Sequence, residues 1–426
     1  MLIRIRNISM LYGSDLEFLE RASITVDDCT GLIKDVDVIV DDDNNNGSGR
    51  QSNSNYSDTS YVDADYSIDC EGLLMIPSFI NAHTHIADSI AKDVTYNLGF
   101  NESIHPVFGV KSRVLSKSMS KHIMHFIRSS ALAMLSKGIT TFIDFREQGL
   151  NGVNMLRESM DGLAMRYLAL GRVEHYSYAG DDEPLPDNAI EEALNVVGVA
   201  DGFGLSGANE YSRKALEQLA LIAISRGKVF GMHACESEES KAYSMERFGM
   251  SEVSRILSIT RPDFLVHMTV ASNDELMLAA SKRIGIVVCP RANAVLGVGM
   301  PRVWDMLRFG CSVAIGTDNV MLNSPDLFRE MDYLWKVSRL MYKSDKGRGI
   351  DAREIIKMVT VNPARIFRLN RLGYLAEGMY ADALFIDKYS LDIMPMHNPY
   401  TAIVHRADVS SIRAVMLNGR VVHGRL

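Results

Sequence analysis

The sequence predicts an α/β fold: a (β/α)8 TIM barrel carrying a small β-sandwich domain formed by the N- and C-terminal segments. Three observations predict it. Eight short apolar runs follow one another from about residue 70 onward. The stretches between them carry apolar residues three and four apart. Both ends of the chain are rich in strand formers. Strand–helix alternation repeated eight times is the pattern of a closed parallel barrel, with an open doubly wound sheet as the runner-up. At 426 residues the chain exceeds the roughly 250 typical of one barrel, which leaves room for a second, smaller domain.

The elements fall in order. LIRIRNI, ASITV and DVDVIV open the chain as short strands between turn residues. Residues 41–66 are polar and nearly free of aliphatics, so they are expected to form a flexible loop. The eight runs are LLMIPSFINAH (73–83), ITTFIDF (139–145), RYLALGR (166–172), DGFGLS (201–206), KVFGMHA (228–234), DFLVHM (263–268), GIVVCP (285–290) and SVAIGTD (312–318). Between them, SKHIMHFIRSSALAMLSKG, SRKALEQLALIAISRG, NDELMLAASKRIG and PRVWDMLRFG have helical periodicity, with Gly at or near several ends. No G-x-G-x-x-G follows a strand, which argues against a dinucleotide site. After residue 375 short strands return as DALFIDK, AVMLNG and RVVHGR. The expected division is therefore 1–70 with 375–426 as the small β-domain, and 71–374 as the barrel.

Composition narrows the function. The formal net charge is −8, and no run of Lys or Arg offers a nucleic-acid surface. Cys29, Cys70, Cys235, Cys289 and Cys311 are scattered, without a Cys-x-x-Cys pair, so neither a disulfide framework nor a thiolate zinc site is expected. No signal-peptide run opens the chain, and no stretch approaches the ~18 apolar residues of a membrane helix. A cytoplasmic protein acting on a small molecule is the expectation.

The ionisable residues fall at strand ends. His83 and His85 close the first run as His-Thr-His, and alternate residues on a strand share a face. His233 ends the fifth run, His267 lies near the end of the sixth, and Asp318 ends the eighth. Barrel enzymes carry their chemistry at the carboxyl ends of the strands. A lone His is usually structural; four separate strand ends coinciding point to a shared metal site.

These segments carry a resemblance. PSFINAHTH, GMHACE, LVHMTVAS and AIGTDN resemble, in order and context, the signature of the amidohydrolase superfamily. CPRANAVLGVGMPRV and the head and tail strands resemble its branch of cytosine, guanine and S-adenosylhomocysteine deaminases and triazine hydrolases. The likeness covers nearly the whole chain except 41–66. It implies one divalent metal ion per chain, Zn²⁺ or else Fe²⁺, held by His83, His85, His233 and Asp318. It implies catalytic roles for Glu236, His267 and Asp318. The fourth run has no lysine of the kind that bridges two metals, which favours one ion. A homo-oligomer is also a family-level expectation.

Such a donor set leaves a coordination position for water and lowers that water's pKa toward neutrality. Asp318 can take the water's proton, His267 can orient the water, and Glu236 can protonate a ring nitrogen. Substrate contacts are expected from Arg146, Asp88, Lys92, Asn209 and Arg291; Asp144, Glu210 and Asn293 are further candidates. Two departures stand out: Ala208 where the adenosine-type branch has a histidine, and Ser78 where the family has glycine. The reading is a hydrolase of carbon–nitrogen bonds other than peptide bonds. Its expected reaction is deamination of an aminated purine, pyrimidine, pterin or nucleoside. Hydrolysis of a cyclic amide or imidazolone ring, or of a ring substituent as in a chlorohydrolase, is the alternative. A non-catalytic scaffold is the minor one.

Overall fold

Strands are numbered here in chain order: β1 Leu2–Tyr12, β2 Glu17–Asp27, β3 Leu32–Val38, β4 Tyr66–Asp69 and β5 Leu73–Pro77. They continue as β6 Phe79–His85, β7 Ile139–Arg146, β8 Arg166–Gly171, β9 Gly202–Leu205, β10 Val229–Ala234, β11 Phe264–His267 and β12 Gly285–Val288. The last five are β13 Ser312–Ile315, β14 Asp318–Asn319, β15 Ala383–Asp387, β16 Ile412–Leu417 and β17 Arg420–Gly424. The computed structural model describes residues 1–38, 64–176, 181–342 and 349–426. Most of the polar segment 41–66 therefore lies outside the described residues, and its end, Tyr66, already opens β4.

Two units share the chain. One comprises Met1–Ser78, Arg371–Pro399 and Ser410–Leu426; the other comprises Phe79–Asn370 and Tyr400–Val409. In the first, the terminal strands make one eight-stranded sheet, ordered β17-β16-β15-β5-β1-β2-β3, with β4 parallel to β1. Ile5, Ile8, Ile24, Val26, Met75 and Phe385 bury its apolar side.

In the second unit the strands run β13-β12-β11-β10-β9-β8-β7-β6-β14, every pairing parallel. Only Gly316 and Thr317 separate β13 from β14, so the eighth strand pairs with β12 at one end of the order and with β6 at the other. The sheet returns to its start as a TIM-like barrel. Strands such as β10 are buried along their whole length, which explains why they read as continuous apolar runs. Small residues make room for rings inside: a Cβ on Gly204 would lie 2.6 Å from Phe145, and one on Gly231 would lie 2.3 Å from Phe264.

The helices behave as their periodicity predicts. In Arg213–Ser225, Ser212 caps the start by accepting from Ala215 N at 3.0 Å. Ala215, Leu216, Leu219, Ala220 and Ala223 form the buried stripe. Each fully buried leucine there contributes about 1.5–3 kcal/mol. Gly227, at φ +63°, ends the turn that follows.

One expected run is corrected. Residues 73–83 read as a single strand, but the chain breaks at Ser78. β5 belongs to the terminal sheet and β6 to the barrel. Both halves are buried apolar strands, so composition alone shows no seam between them.

Candidate active site and metal centre

Four strand ends converge. His83 and His85 close β6, His233 lies near the end of β10, His267 ends β11, and Asp318 begins β14; all five are buried. His83 Nε2 lies 3.2 Å from Asp318 Oδ1 and 3.3 Å from His233 Nε2. His85 Nε2 lies 3.6 Å from the same Asp318 oxygen. His83, His85 and Asp318 form one group whose donor atoms can hold a metal ion, and His83, His233 and His267 form another.

The tautomers fit a cation. His233 Nδ1 lies 2.9 Å from the Leu205 carbonyl, and His85 Nδ1 lies 3.1 Å from the Phe145 carbonyl and 2.8 Å from Glu147 Oε1. A carbonyl or carboxylate only accepts, so each Nδ1 carries the proton and each Nε2 turns a lone pair inward. Burial, followed by the Lys111 charge, pushes His85 down to about 3. Burial and neighbouring histidines push His233 well down. Neutral imidazoles with converging lone pairs beside a carboxylate suit Zn²⁺ or Fe²⁺. Asp318 Oδ2 is also buried without a hydrogen-bond partner.

His267 differs. The Asn293 amide nitrogen lies 3.2 Å from its Nδ1 and can only donate, so the proton sits on Nε2. That nitrogen faces Glu236 Oε1 at 3.4 Å. Burial lowers His267 to about 4, so it is neutral near pH 7. Burial, then the Asp318 charge, holds the Glu236 carboxyl well above its ordinary range. Burial also acts on Asp318, but its bond to His83 and the surrounding histidines outweigh it and hold that carboxyl well down. Two acids in one site are thus driven in opposite directions, the arrangement that separates a proton donor from a proton acceptor. His267 and Asp318 adopt φ 75° and 59°, left-handed backbone that costs a non-glycine residue about 1–3 kcal/mol and clusters at functional sites.

A cavity of about 430 Å³ opens above this cluster. His85, His233, Glu236, His267, Asp318 and Asn209 line it. The other expected substrate contacts lie elsewhere. Asp88 is fully buried behind the wall and accepts from Met321 N at 3.0 Å. Lys92 is exposed and outside the lining. Arg146 is fully buried, with Nε donating to the Glu147 carbonyl at 3.1 Å. Arg291 binds Glu330, Ser324 and Asn323 away from the cavity. Each sits on or past a barrel strand, but none of the four contributes to the cavity lining. Asp144 is likewise buried and accepts from Ile86 N at 2.7 Å, while Glu210 lines the cavity.

Sequence reasoning passed over Lys111, Arg172, Glu252 and Asn319, which line the cavity, and Glu147, which lies behind it. Glu147 follows β7 directly, so the strand-end argument could have found it. Lys111 sits inside a helix, Val110–Lys117, with no pattern to mark it.

A TIM-like barrel with a buried histidine–carboxylate centre at the carboxyl ends of its strands is the architecture of a metal-dependent hydrolase. Residues 74–422 match the amidohydrolase family profile, and the chain belongs to that family. It is therefore a hydrolase acting on carbon–nitrogen bonds. A relative from Methanothermobacter thermautotrophicus is 33% identical over 355 residues, 83% of this chain and 88% of that one. A 5-methylthioadenosine/S-adenosylhomocysteine deaminase of Thermococcus sibiricus is 28% identical over 378 residues, 84% of each chain. The atrazine chlorohydrolase of Arthrobacter aurescens, solved with zinc, superposes with a TM-score of 0.81 at 19% identity, covering 99% of this chain and 95% of its own. Among the described residues, no helix is long and apolar enough to cross a membrane.

Proposed function

We propose that this protein is a hydrolytic deaminase of an aminated heterocycle, with one divalent ion, zinc before iron, held by His83, His85, His233 and Asp318. The carrying observation is the pairing of Glu236 with His267 beside Asp318 in one cavity. The Thermococcus relative supports the adenosine-derivative end of the substrate class. A cavity of about 430 Å³ accommodates a base or nucleoside.

A bound divalent ion supplies Lewis acidity and makes water nucleophilic near neutral pH. The chain supplies the proton handling. Asp318 accepts a proton from the attacking water. Glu236, kept protonated by burial, gives its proton to the ring nitrogen as the water oxygen adds to the neighbouring carbon. His267, anchored by Asn293, donates from Nε2 and steadies the negative charge that develops on oxygen. The exocyclic C–N bond then breaks: its nitrogen takes the proton that Asp318 had accepted, the new hydroxyl returns a proton to the Glu236 carboxylate, and ammonia leaves. The ring keeps a carbonyl.

Displacement of another ring substituent is the second reading. Ala208, with no imidazole at the position where the adenosine-type branch has one, favours it. We also propose that the terminal segments, expected as 1–70 and 375–426 and extended by β5 at Leu73–Pro77, act as a small sandwich-like domain, and that the enzyme is cytoplasmic.

The test is elemental analysis followed by ammonia release from a panel of bases, nucleosides and pterins. The purified protein should contain one equivalent of zinc or iron, and His83→Ala should lose it. Glu236→Gln should keep the metal but lose 10²- to 10⁴-fold in kcat. Metal-loaded protein that releases no ammonia from any of the panel would sink the deaminase reading.

A further inference from the structure

We propose that Lys111, acting through Glu147 and Asn319, is a positioning residue that fixes two arms of the metal cradle from outside. The inference rests on reading the cradle as a metal site, and it gives roles to three residues which that reading leaves unused.

Lys111 is 6% exposed. Its Nζ lies 2.7 Å from Glu147 Oε1 and donates to Asn319 Oδ1 at 2.9 Å. Glu147 Oε1 lies 2.8 Å from His85 Nδ1, and Asn319 Nδ2 donates to Asp318 Oδ1 at 2.9 Å. His85 Nε2 and Asp318 Oδ1 face each other at 3.6 Å. The contacts form a closed circuit of five side chains.

Each link has one sense. An ammonium only donates, so it takes the carbonyl end of the Asn319 amide. The amide nitrogen is then left to donate to Asp318, and the carboxylate cannot rotate without losing that bond. On the other arm, the Phe145 carbonyl fixes the His85 tautomer, and the Glu147 carboxylate, in ion-pair contact with the same Nδ1, holds the ring with its Nε2 aimed inward. Glu147 lies just beyond β7, outside any helix or strand, and the ammonium is what pins its side chain. A buried ammonium is costly unless it is paired, so its place between two acceptors is a constraint that the fold maintains. The same lysine lies on the helix after the first barrel strand and reaches residues after the second strand and on the eighth. One side chain therefore joins two strand ends directly and reaches His85 on a third through Glu147.

Zinc affinity of the full chain, measured by chelator competition, tests this without reading activity. Lys111→Met and Glu147→Gln should each bind zinc about 10- to 100-fold more weakly, the usual effect of losing a group that orients a ligand. The double variant should be little worse than the weaker single one, because the residues act as a unit. Thermal melts at saturating zinc establish that each variant folds, and Lys121→Met, an exposed lysine on the next helix, serves as the control. Folded variants with wild-type zinc affinity would overturn the proposal. So would a raised KM with unchanged zinc affinity, which would make Lys111 a substrate contact only. A wild-type protein that binds no zinc would instead overturn the metal reading itself.

Discussion

Glu330 is fully buried on the helix Leu327–Met341, beside Arg291. Burial pushes its carboxyl up to about 8, against the lowering effect of Arg291. Glu252 is pushed to about 8 in the same way. A carboxyl raised in the fold keeps a proton that it releases on unfolding. Its contribution is complete below the ordinary value near 4.5 and is lost as pH climbs through about 8. Thermal stability should therefore decline across that window. Glu330→Gln mimics the protonated form, so it should flatten the decline and melt above wild type near pH 8. Parallel slopes for the two proteins would show that Glu330 does not carry this proton. The same scale explains what was legible. His83, His85, His233, His267 and Asp318 were readable because strand ends have a periodic signature. Arg146 and Asp88 sit at equally promising positions, but whether a side chain turns to the cavity or the wall is decided by packing. Lys111 was invisible because its partners lie far off in sequence: Asn319 is 208 positions away.

The strand is the next scale, and the register between β6 and the eighth strand is its critical joint. Gly316 lies between β13 and β14, and a Cβ there would meet His83 Cβ at 2.6 Å and His83 N at 2.7 Å. Backbone cannot yield as a flexible side chain can, so Gly316→Ala must shift β6 at its first histidine. The expected cost is about 1–3 kcal/mol of stability, with weakened metal binding. Gly198 is the contrast. It lies in the helix Asp187–Val199 with nothing within 4 Å of an added Cβ. Gly198→Ala should stabilise by about 0.5–1 kcal/mol. Denaturant unfolding of both variants checks the pair, and equal behaviour would mean that the β6 joint is softer than the geometry implies. The eight barrel runs were readable at this scale. The seam at Ser78 was not, because both strands it separates are buried and apolar.

Across the whole molecule, the proposed metal cradle would clamp distant parts of the chain. Thr84 and Asp318, 234 positions apart, are joined by a hydrogen bond at 3.1 Å beside the proposed ligands. An ion that binds only the folded state stabilises it by about 4 kcal/mol at a thousandfold excess over its Kd. That stabilisation should be absent from His83→Ala. It should also be local in its first effects, because the donors lie at one end of the barrel, while Phe264 and Gly285 start their strands at the other. Removing the metal leaves the inward lone pairs of His233 and His85 facing each other beside Asp318 with no cation between them. Hydrogen exchange should then accelerate at His83–His85, His233–Glu236 and Asp318–Asn319, with little change at Asp263–Leu265 and Gly285–Val287. A uniform rise through every barrel strand would mean that the ion governs the stability of the barrel as a whole. In that case the resting order of the strand ends, left-handed His267 and Asp318 included, would depend on the metal.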